Sequence, residues 1–101
     1  MTGDVYTLGV WKVKADKHGE FIAAWESLGR AFRKLPNPPS GKGTLVQSVN
    51  DPDLFYSFGL WESIDDIQAM RENPDAEEGI QALRELCTEA TPGTFHVVGE
   101  G

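Results

Sequence analysis

A single cysteine, Cys87, stands among the 101 residues, so no internal disulfide framework is available to the chain. Histidine is nearly as scarce. His18 and His96 lie far apart, and with one cysteine they offer no zinc-type ligand spacing. The acid pairs Asp65-Asp66 and Glu77-Glu78 are neighbours on helical patterns, so their carboxylates diverge instead of converging on a cation. No Ser-His-Asp or Cys-His arrangement can be assembled from what remains. Cations are in deficit, nine against sixteen acids for a net charge of −7. That balance points away from nucleic acid, a partner that normally calls for a basic patch, and serves solubility instead. No apolar run approaches the roughly 18 residues needed to cross a membrane. Met-Thr-Gly-Asp at the N-terminus has neither the basic nor the apolar region of a leader peptide. Asn37, Asn50 and Asn73 form no glycosylation sequon. The expectation is one cytoplasmic domain over residues 1–101, away from membranes, burying roughly two-thirds of its unfolded surface.

What the chain does have is an echo. Tyr6-Thr-Leu-Gly-Val-Trp11 returns fifty residues later as Tyr56-Ser-Phe-Gly-Leu-Trp61, with Tyr, Gly and Trp in the same places and conservative pairs between them. We read the echo as a duplicated half-domain. Val5 to Lys14 alternates, with both faces apolar through its middle, as a covered strand does. Asp16 is the expected cap of a helix running to about Lys34, with Phe21, Trp25, Leu28 and Phe32 in one apolar stripe and Glu26 four residues before Arg30. Pro36 to Gly43 forms a loop. Its Gly41-Lys42 lacks the other residues of a phosphate loop. Thr44–Val49 and Leu54–Glu62 make a hairpin around Asn50–Asp53. Ser63 caps a second helical region carrying Ile64, Ile67 and Met70 on one face. Asn73-Pro74 interrupts it, and helix resumes near Asp75 with Ile80, Leu83, Leu86 and Cys87 inward. Pro92-Gly93 is expected to end it, leaving Thr94 to Val98 as a short fourth strand.

The order β-α-β-β-α-β predicts a ferredoxin-like α+β sandwich, a four-stranded antiparallel sheet with two helices on one face. The first and third strands are then central and adjacent, which lays the two hexamers side by side. Parity puts Thr7, Gly9 and Trp11 on one face with Ser57, Gly59 and Trp61. Tyr6, Leu8, Val10, Tyr56, Phe58 and Leu60 share the other. Six such residues on an uncovered face call for a second subunit, packed sheet to sheet as a homodimer. On the helix side the small strand residues leave space that Trp11, Trp25, Phe32 and Trp61 can wall. That space is either a small-ligand pocket or a close approach of helices filled by core tryptophans.

The segment Leu54-Phe-Tyr-Ser-Phe-Gly-Leu-Trp-Glu-Ser63, followed by Asp65-Asp-Ile-Gln-Ala-Met70, resembles the strand, Trp-Glu-Ser, helix portion of antibiotic biosynthesis monooxygenase-type domains. These belong to the dimeric α/β-barrel superfamily. Pro39-Ser-Gly-Lys-Gly43 sits where that family turns into its second strand. The resemblance implies a homodimer whose sheets meet in a barrel, with a pocket between sheet and helices in each subunit. Some members oxygenate activated phenols or anthrones to quinones with neither metal nor flavin. Others degrade haem, and many have no established reaction. Trp61 matches the tryptophan associated with the site in both active groups. The chain departs from the pattern in two places. Ser57 stands where quinone-forming members carry asparagine. Met70 and Arg71 occupy the stretch where haem degraders need an iron-ligating histidine, which disfavours haem.

Catalysis of that kind needs a base and a water-excluding pocket. Trp61 and Trp11 are the expected platforms for a planar substrate. His96 is the candidate base, because imidazole titrates near neutrality, with a surface position as the alternative. Arg71 is the candidate partner for an acidic group, or a solvated helix arginine. His18 is expected at the surface and Cys87 as inert core. Two functions follow. One is a cofactor-independent monooxygenase acting on a small aromatic or polyketide-like metabolite. The other is a non-catalytic ligand-binding or auxiliary dimer of the same fold.

Overall fold

The computed structural model describes residues 2–101. Its elements are β1 (Val5–Val13), α1 (His18–Arg33), β2 (Thr44–Gln47), β3 (Leu54–Trp61), α2 (Ile64–Glu72), α3 (Pro74–Glu85) and β4 (Cys87–His96). The strands form one antiparallel sheet in the order β2-β3-β1-β4. This is the ferredoxin-like α+β fold expected, with the second helix divided in two. Among the described residues no helix is long and apolar enough to cross a membrane, and no three His, Cys, Asp or Glu side chains gather into a metal site.

The two hexamers lie against each other in the pairing of β1 with β3. Thr7 is opposite Gly59, Gly9 opposite Ser57, and Leu8 opposite Phe58. Moving fifty residues along the sequence maps this set of pairs onto itself, so the repeat has a local two-fold axis through the Leu8–Phe58 pair. The odd-numbered residues face the helices. Val5, Gly9, Trp11, Phe55, Ser57, Gly59 and Trp61 are all buried there. The even-numbered face is open, with Tyr56 40% and Phe58 39% exposed.

The core is split. Trp11 packs with Val13, Phe21, Leu28, Phe55 and Leu83 at one end of the sheet. Trp61 packs with Val5, Ile67, Met70 and Ala76 at the other. Phe32 and Ile80 touch both clusters. Between the tryptophans the strands carry only Thr7, Gly9, Ser57 and Gly59 on this face, so the bulk needed to join the clusters is missing from the sheet.

Three sequence expectations are corrected. Asp16 does not cap α1; the helix starts after Lys17, with no side-chain cap bond. Ile64 is 59% exposed, while Ile67 and Met70 of the same helix are buried. The largest correction is β4, which begins at Cys87 and runs through Pro92-Gly93 to His96. Cys87 is therefore a strand residue, paired with Val13. A proline fits because β4 is an edge strand with β1 as its only neighbour, so the missing N–H need cost no ladder bond. The expected Ser63 cap holds, and Asn73, read only as part of a break, caps the next helix. Ser63 Oγ accepts from the Asp66 amide at 3.1 Å, and Asn73 Oδ1 accepts from the amides of Asp75 and Ala76.

Candidate functional site

The gap between the two clusters is a cavity of about 510 Å³. Its floor is the band Thr7, Gly9, Ser57 and Gly59, and all three tryptophans stand in its walls. Phe32 of α1 and Ile80 of α3 close it from the helix layer, and Arg71 at the end of α2 also lines it. Trp11, Trp25, Phe32, Ser57, Gly59, Trp61 and Arg71 thus surround one space.

The two strand tryptophans are held by the repeat. Trp11 Nε1 donates to Ser57 Oγ at 2.9 Å, and Trp61 Nε1 donates to Thr7 Oγ1 at 3.1 Å. Each hexamer's sixth residue is tied to the second residue of the other. A buried indole N–H without an acceptor is costly, so these hydroxyls fix the orientation of both rings. Space is arranged with equal economy at Gly9. A Cβ there would lie 2.5 Å from Trp11 Nε1, so the indole leans back over a position that only glycine can occupy. The ring of Phe32 meets Trp61 edge-on with centroids 5.5 Å apart, which fixes that wall further. Trp25 is different. It lies under Gly43 of the loop, and among the described residues its indole N–H has no hydrogen-bond partner.

The loop that covers Trp25 is pinned at several points. The Ser40 amide donates to the Leu60 carbonyl at 2.9 Å, and Ser40 Oγ to Glu62 at 3.0 Å. The Arg33 guanidinium donates to the carbonyls of Pro39 and Gly41. These bonds place Lys42 and Gly43 at the cavity. Sequence reasoning saw Arg30 as the partner of Glu26 and Lys42 as part of a failed phosphate loop, and placed neither these two nor Arg33 at the cavity. A spacing signal for their convergence does not exist, because it depends on where the loop folds back. The expected pairing of Glu26 with Arg30 does not form among the described residues.

The two histidines fall elsewhere. His96 is exposed at the end of β4, opposite Val5, and does not line the cavity. The candidate base is therefore not brought to Trp61. His18 is half-buried, not free at the surface. Its Nε2 lies 2.8 Å from Asp53 Oδ1, and its ring stands edge-on to Phe55. Cys87 is half-buried, and burial pushes its thiol pKa up despite the opposing charge of Lys14.

This architecture recurs in solved structures. A variant of SnoaB, a cofactor-independent oxygenase from Streptomyces nogalater, superposes with a TM-score of 0.83 at 18% identity, over 97% of this chain and 96% of that one. A conserved protein from Methanosarcina mazei does so at 0.80 and 16%, over 94% and 93%. At such identities the likeness is one of fold. In sequence, the chain is 33% identical over 99 residues to 2-succinyl-5-enolpyruvyl-6-hydroxy-3-cyclohexene-1-carboxylate synthase of Prochlorococcus marinus. The match takes in 93% of this chain but spans only 16% of that protein's length. Residues 5–82, which hold both hexamers, most of the cavity lining and all three helices through Ala82, match the model of the antibiotic biosynthesis monooxygenase family, and the chain belongs to that family.

Proposed function

We propose that the protein is a cytoplasmic, cofactor-independent monooxygenase acting on a small aromatic or polyketide-like metabolite held in the cavity between sheet and helices. The observation that carries this reading is the gap itself. Two indoles are locked 2.9 and 3.1 Å from their hydroxyl partners at either end of a floor kept free of bulk. A protein that needed only a core would fill that band with valine or leucine. A pocket with aromatic walls suits a planar ligand, and shielding it from water favours a carbanion meeting O₂. In the reaction proposed, an activated ring CH₂ and O₂ give a ring C=O and H₂O. Trp61 and Trp11 are the platforms, and Ser57, Gly59, Trp25, Phe32 and Arg71 contribute the remaining surface. The likeness in fold to a cofactor-independent oxygenase agrees with this assignment.

A second reading is favoured by one feature. Among the described residues no His, Cys, Tyr or Asp lines the cavity, and Glu26 is its only carboxylate. A cavity without a buried base suits a ligand-binding or auxiliary protein as well as it suits an enzyme whose substrate ionises by itself. Oxygen uptake separates the two. Wild-type protein and Trp61→Phe are compared with a panel of anthrones, hydroquinones and small ring acids, the last suggested by the name of the Prochlorococcus synthase. Uptake by the wild type that falls at least about tenfold in the variant supports the enzyme. No uptake with any compound removes it, and unchanged turnover removes Trp61 from the site.

We also propose that the even-numbered face of the sheet is the interface of a homodimer, with Tyr6, Leu8, Val10, Tyr56, Phe58 and Leu60 at its centre. Its support is the uncovered apolar face, which Val46 at 45% and Phe95 at 53% exposure extend onto the outer strands.

A further inference from the structure

Four of the chain's nine cationic side chains, Arg30, Arg33, Lys42 and Arg71, line the one cavity described above, against the single carboxylate of Glu26. The chain as a whole carries a net charge of −7. The cavity lining thus reverses the charge balance of the chain. Arg33 has a structural task, clasping the loop through the carbonyls of Pro39 and Gly41. The other three have none that uses their charge. Arg71 donates only to the hydroxyl of Thr94, at 3.2 Å. Among the described residues neither Arg30 nor Lys42 makes an ion pair or a hydrogen bond. Arg30 leaves even Glu26, at the favourable i,i+4 spacing on α1, unpaired.

Like charges gathered around a cavity repel one another, and on an acidic protein nearby carboxylates would ordinarily relieve them. Here, among the described residues, Glu26 is the sole carboxylate in the lining, so an anion entering the cavity meets an excess of cations. The walls say what carries it. Trp11, Trp25 and Trp61 present aromatic surface, and Trp25 keeps an uncommitted indole N–H. Among the described residues no His, Cys, Tyr or Asp lines the cavity, which suits one that holds an anion and not one that makes an anion by taking a proton. Guanidinium groups favour carboxylates, which accept from their planar fork through two oxygens. This inference rests on the reading of the cavity as a ligand site and adds its charge class. We propose that the cavity takes a planar aromatic acid, with its rings against the tryptophans and its carboxylate met by Arg30, Lys42 and Arg71.

The test compares two probes of the same shape, naphthalene-2-carboxylate and naphthalene-2-carboxamide, by isothermal titration calorimetry with the full chain. A charge-assisted bond to a carboxylate predicts binding of the acid about tenfold or more tighter at low salt. That advantage should shrink as sodium chloride is added. It should disappear in the triple variant Arg30→Gln, Lys42→Gln, Arg71→Gln, which should bind the two probes with equal affinity. Arg33 is left in place so that the loop stays clasped. Equal affinities of wild type for the two probes would overturn the charge class while leaving the cavity an aromatic site. A preference for the acid that survives in the triple variant would also overturn the proposal, since the anion would then be held elsewhere. Failure of both probes to bind would remove the ligand-site reading beneath it.

Discussion

At the scale of single residues the two halves of the repeat look alike and are not equivalent. Gly9 and Gly59 occupy the same place in their hexamers. A Cβ at Gly9 would meet Trp11 at 2.5 Å, whereas one at Gly59 would meet nothing closer than Gly43 Cα at 3.6 Å. Gly9→Ala should therefore force the indole aside, strain its bond to Ser57, and cost about 1–3 kcal/mol. Gly59→Ala makes ordinary contacts and reduces the freedom of the unfolded chain, so its stability should stay within about 1 kcal/mol of wild type. Urea unfolding of the two variants side by side measures the difference, and equal losses would contradict the account of Gly9. The sequence made the glycines visible but not this asymmetry, because it depends on the rotamer of Trp11 two residues away. The same limit applied to Cys87, whose apolar neighbours suggested a helix. Its raised pKa, caused chiefly by burial and opposed by Lys14, keeps the thiol protonated at neutral pH. Iodoacetamide should label it more slowly than free cysteine at pH 7, and the rate should go on climbing beyond pH 9.0, the ordinary thiol value, where that of an unshifted thiol levels off. Labelling as fast as free cysteine would contradict the burial.

At the scale of elements, local signals set what could be read. The strands β1 and β3 were legible because their alternation and shared hexamer fix both pairing and register. Asn73-Pro74 was legible as a break because proline supplies no amide to the helix before it and suits the first turn of the helix after it. Asn73 turns that break into a start, its side chain accepting from Asp75 at 3.0 Å and Ala76 at 3.2 Å. Asn73→Ala leaves those amides without their acceptor and should lower stability by about 0.5–2 kcal/mol. Asn73→Asp, which keeps an acceptor oxygen, should recover most of the loss in the same denaturation assay. The end of α3 was not legible. Thr88 to Thr91 carries no strong strand pattern, and Pro92-Gly93 looks like a terminator. Only the position of β4 at the sheet edge, a tertiary fact, makes a proline there harmless. The cavity divides in the same way. Its tryptophans and small residues follow from strand parity, while Arg30, Arg33 and Lys42 reach it only because the 36–43 loop is pinned back over Trp25.

At the scale of the whole molecule, the extents are 36 × 36 × 18 Å. The short dimension matches one sheet and one layer of helices, each about 10 Å thick. All of the helices lie on the odd-numbered side, so the even-numbered side has nothing over it. Tyr56 and Phe58 at its middle are 40% and 39% exposed, with Val46 and Phe95 on the outer strands β2 and β4. A monomer keeping that face in water gains nothing from it, whereas a second copy applied through a two-fold axis covers it with an identical surface. Sedimentation equilibrium at micromolar concentration should therefore give twice the chain mass. Phe58→Asp should give the single mass with the fold retained, because a carboxylate would otherwise be buried unpaired at the centre of the contact. The position makes the test two-sided. If the face is solvated in the native protein, Asp at residue 58 is a surface substitution that changes neither mass nor stability by more than about 0.5 kcal/mol. A wild-type monomer at that concentration would sink the sheet-to-sheet dimer, and a Phe58→Asp dimer would move the interface to another face.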